Sequence, residues 1–392
     1  MKQILYMLYA MMFYMYRLLP INKNKTTFIM THDESINGNI MRMYQKIKAE
    51  RPHELCKFVT KKGFKEEKGW RLFIKEVEFV CKSSFHLATS QAIFLDNVFL
   101  PMAFMRFKKQ VKIVQLWHGC NTLKKFGQLS NVGQLKKLEK KANSHYTHLI
   151  TSSKKMNKLH MEAFGVAEDK IYALGLPRMD SLFQDETVLQ REKDAFYKDY
   201  PQLKGKTLIL YAPTFRDNDL EITNDNMDLT QVAEVLSEEY VIMTKFHPFV
   251  AQNYRSVQEY KLGYKAIQDD KLIEEGKLVD VSHYDDLNRL LLVADILVTD
   301  YSSIIFEYAI LKKPMIFYAY DQAEYGNKIR GFYYDYNNYV PGVIVRKREE
   351  LIRCIQDKVY LQYSYEGFIN EYLEYKDANA AQRIYEAVYK SI

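Results

Sequence analysis

Several polar corners in this chain carry residue types that handle phosphate. Thr299-Asp300-Tyr301-Ser302-Ser303 follows the apolar strand Ile296–Val298 and precedes a helix expected from Ile304 to Leu311. Where a strand hands over to a helix, the first-turn N–H groups lack intrahelical partners and the dipole is positive, so paired serines there suit a phosphate. Glu307 lies about one helical turn beyond Ser303 and could reach a ribose hydroxyl if the serines hold the phosphate. Asp300, Ser302 and Ser303 could equally do no more than cap the helix. Arg216, in Pro213-Thr214-Phe215-Arg216, follows the strand Thr207–Tyr211, and its guanidinium fork can donate two parallel hydrogen bonds to a phosphate. Lys245-Phe246-His247-Pro248 ends the strand Tyr240–Met243 with a cation and an imidazole. Arg330, on the loop Arg330-Gly331-Phe332-Tyr333, is a further phosphate ligand. Together these corners suit a pyrophosphate.

The first half presents a different chemistry. The strand Val111–Leu116 runs into Trp117-His118-Gly119. An imidazole fixed at a sheet edge titrates in the range that suits proton transfer near neutrality, which makes His118 the candidate general base. A histidine beside a tryptophan can instead be a satisfied structural residue. His32, Asp33 and Asn39 follow the strand Phe28–Met30 and are candidates for the acceptor side. Lys124, Lys125, Lys136, Lys137, Lys140 and Lys141 cluster where Leu129, Val132, Leu135 and Leu138 recur at helical spacing. Such a basic amphipathic helix can rest on anionic lipid, hold an anionic acceptor, or present a plain solvated face.

Positioning these groups requires strands that alternate with helices. Further apolar pieces lie at Val77–Val80, His86–Ala88, His148–Thr151, Ile171–Leu174, Leu278–Val281 and Met315–Tyr318, and the alternation predicts a parallel α/β construction. In such sheets ligands bind beyond the carboxyl ends of the strands, where the polar clusters fall. A length of 392 residues fits two domains, and the charged stretch Gln184–Lys206 marks the boundary. The expected division is a membrane-associating segment 1–22, an acceptor-side domain 23–185, a donor-binding domain 186–364 and a C-terminal helix 365–392 that crosses back to the first domain. The apolar and aromatic run Ile4–Tyr16 is too short to span a bilayer, which takes about 20 residues, and Arg17-Leu18-Leu19-Pro20 offers no cleavage site. Its tyrosines and methionines suit an interfacial helix, with packing into the core as the alternative.

Apolar residues at 47% and charged ones at 27% describe a soluble globular protein. The net charge of +7 favours anionic partners, and no nucleic-acid-binding signature is present. Four scattered cysteines make no C-x-x-C pair, consistent with a reducing cytoplasm, and the nine histidines show no metal-binding spacing. A protein-held metal is not expected; assistance by free Mg²⁺ stays open.

Trp117-His118-Gly119 with Leu123-Lys124-Lys125-Phe126-Gly127, Gly175-Leu176-Pro177-Arg178-Met179-Asp180, Pro213-Thr214-Phe215-Arg216, Lys245-Phe246-His247-Pro248, Thr299-Asp300-Tyr301-Ser302-Ser303 with Glu307, and Arg330-Gly331-Phe332-Tyr333 occur in this order. The set resembles the CDP-glycerol glycerophosphotransferases, which build wall teichoic acid in Gram-positive bacteria. The resemblance runs from about Thr27 to Asp335 and departs from the family pattern at Cys120-Asn121-Thr122, close to the candidate base.

The resemblance implies a GT-B-like α/β fold, with two Rossmann-type doubly wound domains facing across a cleft. It implies catalytic importance for His118 and His247, and donor binding by Arg216, Lys245, Asp300, Ser302, Ser303, Glu307 and Arg330. The implied reaction transfers glycerol phosphate from CDP-glycerol to a hydroxyl of an undecaprenyl-diphosphate-linked saccharide, releasing CMP. The shortness of the N-terminal region favours addition of one or a few units. The expected setting is peripheral, on the cytoplasmic face of the plasma membrane and against its anionic surface. A homo-oligomer or a cell-wall synthesis complex stays open. Alternatives are transfer of ribitol phosphate from CDP-ribitol, a GT-B sugar-nucleotide glycosyltransferase, and a non-catalytic protein that binds lipid-linked precursor.

Overall fold

Apolar strands alternating with helices build two six-stranded parallel sheets in the computed structural model. The structure describes all residues except 1, 32–36, 62–63, 65–66, 120–122, 215–228, 247–275, 283, 285, 327–330 and 391–392. The α/β class expected from the sequence is therefore found. One unit comprises Met1–Cys120, Phe126–Ser181 and Glu371–Ile392; the other comprises Asn121–Lys125 and Leu182–Asn370.

The first unit holds β1 (Asn22–Met30), β2 (Leu55–Thr60), β3 (Ser90–Leu95), β4 (Lys112–Gln115), β5 (His148–Thr151) and β6 (Ile171–Ala173), in the spatial order β2-β1-β3-β4-β5-β6. Every residue of β3 and β5 is buried, as expected of strands covered on both faces. Phe28 of β1 stands beside Phe58 and Phe94 in register, and its ring stacks on theirs at 5.1 and 5.6 Å.

The second unit holds β7 (Thr207–Tyr211), β8 (Tyr240–Thr244), β9 (Leu278–Asp280), β10 (Ile296–Thr299), β11 (Met315–Tyr318) and β12 (Val343–Val345), ordered β12-β11-β10-β7-β8-β9. In each sheet the chain builds outward on one side and then returns to build on the other. The reversal falls between β1 and β3 in the first sheet and between β7 and β10 in the second. Such topological switch points open a crevice at the carboxyl ends of the strands.

Four helices of the first unit bear on the site: α1 (Lys2–Tyr16), α2 (Gly38–Glu50), α3 (Gly69–Thr89) and α4 (Gly133–Asn143). The pieces Val77–Val80 and His86–Ala88, expected as strands, are turns of α3. Short apolar runs do not separate strand from helix by periodicity, and here the helical period splits them, with Leu87 in the core and Val77 exposed.

One face of α1 packs into the core, the alternative to an interfacial helix, and the other face is exposed. Tyr9 and Phe13 are buried, packing on Phe99 and Phe107 at ring distances of 5.7 and 5.0 Å, and the Tyr9 hydroxyl meets Ser83 Oγ of α3. Met7, Leu8, Met11 and Met15 point outward. Among the described residues no helix is long and apolar enough to cross a membrane.

The C-terminal stretch, expected as one helix, is broken into Glu366–Tyr372, Ala380–Tyr385 and a π-helical turn Glu386–Lys390. Asp180 sets the restart, because its two carboxylate oxygens accept from Ala380 N and Ala381 N, both at 2.9 Å. Burial raises the pKa of this carboxyl, and the two N–H donors oppose that shift.

Candidate active site

The exit of β4 makes a sharp turn. Trp117 adopts a left-handed backbone with φ +56°, an uncommon conformation for a bulky residue that surrounding contacts must hold. Its N–H donates to Gln115 Oε1 at 2.9 Å, its carbonyl accepts from Asn39 Nδ2 at 2.7 Å, and its indole stacks on Phe126 at 5.1 Å. Asn39 is buried at the start of α2, and its Oδ1 accepts from Arg178 N at 3.0 Å. The Arg178 guanidinium in turn donates to the His118 carbonyl.

His118 is thus fixed through its main chain while its ring stays exposed. Nδ1 lies 3.2 Å from the carbonyl oxygen of Asp96, just beyond β3. A carbonyl only accepts, so in this contact Nδ1 carries the proton and Nε2 becomes the basic nitrogen. This is the tautomer a general base needs when the reacting hydroxyl approaches Nε2.

Two glycines explain the spacing of the flanking motifs. Gly127, at φ +54°, allows the turn after Phe126; a Cβ there would meet the Ala163 carbonyl oxygen at 2.3 Å. Gly175, at φ +84°, lets the Ala380–Tyr385 helix approach, since a Cβ would stand 3.1 Å from that of Ala380. Within Gly175–Asp180, then, glycine admits the C-terminal segment, Arg178 braces the His118 backbone, and Asp180 caps the incoming helix.

In the second unit Asp300 fastens the switch point. Its Oδ1 accepts from Thr214 N, beyond β7, at 2.8 Å and from Tyr301 N at 2.6 Å, while its carbonyl accepts from Tyr336 Oη at 3.1 Å. Thr299 Oγ1 adds a 2.6 Å bond to the Ala212 carbonyl. Ser302 and Ser303 are half-buried at the following corner. Ser303 makes no side-chain capping bond, and Ser302 Oγ accepts from Ile304 N only at 3.4 Å, beyond the usual range. The serines therefore contribute little as caps. Glu307 is 2% exposed within the helix Ile304–Ile310.

Lys245 directs its ammonium to the Ser282 and Tyr284 carbonyls, both at 2.7 Å, and so braces the exits of β8 and β9. The lysines grouped in the sequence divide between the two units. Lys124 and Lys125 belong to the second unit. There Lys124 forms an isolated antiparallel bridge with Phe332, reaches Thr214 Oγ1 at 3.2 Å and lies 5.7 Å from the Tyr325 ring centroid. Lys136 and Lys137 are exposed on α4 of the first unit, as are Val132 and Leu135 at its start. His32, Asp33, Arg216, His247 and Arg330 lie outside the described residues. Among the described residues no group of three or more His, Cys, Asp or Glu side chains could hold a metal ion.

Residue-by-residue reading gave no role to Asp96 or Arg178. Asp96 meets His118 through its main-chain carbonyl, which its residue type does not announce. Arg178 was visible within its motif, but its partner is also a main-chain atom.

The family described as CDP-Glycerol:Poly(glycerophosphate) glycerophosphotransferase matches residues 11–390. The chain is 32% identical over 379 residues to the teichoic acid poly(ribitol-phosphate) polymerase of Bacillus spizizenii, an alignment that covers 95% of this chain and 57% of that polymerase. It is 33% identical over 309 residues to the teichoic acid glycerol-phosphate primase of Bacillus subtilis, covering 77% of this chain and 74% of the primase. The structure of the wall teichoic acid polymerase TagF matches over 98% of this chain and 93% of that one, with a TM-score of 0.77 at 22% identity. That likeness shows a shared GT-B-like fold. With the family match running nearly end to end, the chain belongs to the CDP-glycerol:poly(glycerophosphate) glycerophosphotransferase family.

Proposed function

We propose that this chain transfers glycerol phosphate from CDP-glycerol to a hydroxyl of a polyprenyl-diphosphate-linked acceptor in teichoic acid synthesis. The acceptor oxygen attacks the glycerol-bearing phosphorus, a new P–O bond forms, and the bond to the bridging oxygen breaks so that CMP leaves. His118 Nε2 takes the hydroxyl proton. Phosphoryl transfer is mostly positioning and electrostatics, so the remaining groups hold and neutralise the diphosphate. Ser302 and Ser303 serve at the switch-point corner, Glu307 holds the ribose, and Arg216, His247 and Arg330 keep the roles their motifs imply. The observation that carries the reading is the Nδ1 contact of His118 with Asp96, which makes Nε2 the basic nitrogen.

Ribitol phosphate is the second reading for the donor, favoured by the Bacillus spizizenii relative. Measuring product release from CDP-glycerol, CDP-ribitol and a UDP-sugar tests all of these. CMP from one CDP-polyol is expected, and UDP release without CMP would sink the proposal.

The same reading puts the chain on the cytoplasmic face of the membrane as a peripheral protein. Its support is the apolar outer face of α1 beside α3, where Trp70, Phe73 and Ile74 are also exposed, together with the lysines of α4.

A further inference from the structure

A cavity of about 270 Å³ lies in the first unit, near the lower limit of small-molecule pockets, roughly 300–1,000 Å³. Thr31, Lys61 and Val98 line it, just beyond the carboxyl ends of β1, β2 and β3. It therefore occupies the switch point of the first sheet, where α/β sheets place their ligands, yet the transfer chemistry above does not use it.

Its lining is aromatic. Tyr6 and Tyr9 come from α1, Phe79 from α3, and Phe99 from the segment after β3. Tyr9 and Phe99 are buried while Lys61 is exposed, so the cavity runs from the core to the surface. The Lys61 ammonium is 5.7 Å from the Phe79 ring centroid, which keeps a cation at the apolar wall. Glu76 also lines the space and tempers that charge.

Two continuities indicate what it holds. The segment after β3 supplies the Asp96 carbonyl to His118 and, a few residues on, Val98 and Phe99 to the cavity. The helices α1 and α3 that wall it carry the exposed apolar residues Met11 and Trp70 on their outer faces. The cavity thus shares the segment after β3 with the His118 contact and shares α1 and α3 with the exposed apolar residues. Resting on the function proposed above, we propose that it binds the isoprenoid carbons next to the diphosphate of the lipid-linked acceptor, with Lys61 on the diphosphate. Apolar carbons would be removed from water among the rings, and the anion would meet Lys61.

The test uses the full chain and farnesyl diphosphate, a short soluble isoprenoid diphosphate, titrated by calorimetry. Binding is expected, weakened about tenfold or more by Lys61→Glu and by Val80→Trp, which fills the cavity. Thermal melts check that Val80→Trp folds, and Lys61 is exposed enough for its variant to stand alone. Inorganic diphosphate and dodecyl phosphate should bind at least tenfold more weakly, on the same basis. Absence of farnesyl diphosphate binding, or binding indifferent to both substitutions, would overturn the proposal. Equal affinity for dodecyl phosphate would overturn the isoprenoid assignment in favour of any acyl chain. CMP release is measured separately, so a failure there removes the transferase reading while the calorimetry still decides the cavity.

Discussion

Nδ1 of His118 stands 3.2 Å from the carbonyl oxygen of Asp96, so the exit of one strand sets the tautomer of a histidine on the next. His118→Ala should lower kcat by about 10²–10⁴-fold, the usual loss for a general base, and leave the dissociation constant of the CDP-polyol within a few-fold. Retention of more than about a tenth of the wild-type kcat would remove His118 from that role.

Asn39 ties the same turn from below, donating to Trp117 and accepting from Arg178. Asn39→Ala removes two part-buried hydrogen bonds, each worth about 1 kcal/mol. The melting temperature should fall, and kcat should fall about tenfold or more because the His118 ring loses its placement. A lower melting temperature with unchanged kcat would make Asn39 structural only.

The Ser302-Ser303 corner is expected to act on the donor. The double change Ser302→Ala with Ser303→Ala should weaken CDP-polyol binding by about tenfold, the worth of one or two hydrogen bonds. Glu307→Gln should also weaken it through the ribose. Calorimetry showing wild-type affinity in both variants would return this corner to the role of a simple strand-to-helix turn.

Acid should loosen the first unit. Burial pushes the pKa of His148 and of His160 down to about 4 from 6.5, with Lys112 lowering His148 further. Between those values the unfolded chain binds protons that the folded one refuses, so stability falls as pH falls through that window and is unaffected above it. Each histidine contributes up to about 1.4 kcal/mol per pH unit. His160→Gln should flatten the dependence of melting temperature on pH between 4 and 6.5, the window set by these shifts. An unchanged slope would assign the effect to other groups.

Membrane attachment should respond to the outer faces of α1 and α3. Met11→Glu with Trp70→Glu replaces two exposed apolar side chains, so the fold should survive while co-sedimentation with anionic liposomes drops. Salt should weaken what the α4 lysines contribute. Undiminished binding in the double variant would move the attachment elsewhere.

The sequence revealed several of the strands buried on both faces, but not β3, whose run opens with the polar pair Ser90-Gln91. The strands β5, β7 and β11 fall on the residues expected of them because continuous apolar runs signal strands in parallel sheets. The strand β2 escaped notice because Leu55 is exposed and Lys57 interrupts its apolar run, and β12 because three residues give no pattern. At the candidate site, residue types singled out His118 and the Ser302-Ser303 corner. They did not disclose Asp96, which acts through its backbone, or the move of Lys124 into the second unit, where its partner Phe332 is remote in the chain.

The Asp180 cap on the Ala380–Tyr385 helix also constrains the order of assembly during synthesis. The first unit takes part of its structure from residues after Glu371. There Tyr389 Oη meets Thr26 Oγ1 of β1 at 2.5 Å, and Arg383 Nε reaches the Leu174 carbonyl at 2.9 Å. Of the two units, the one whose strands emerge first therefore gains its last helices only after Leu182–Asn370 has emerged and can fold. Until the tail arrives, the carboxylate of Asp180 lacks the Ala380 and Ala381 N–H groups that it accepts from in the finished fold.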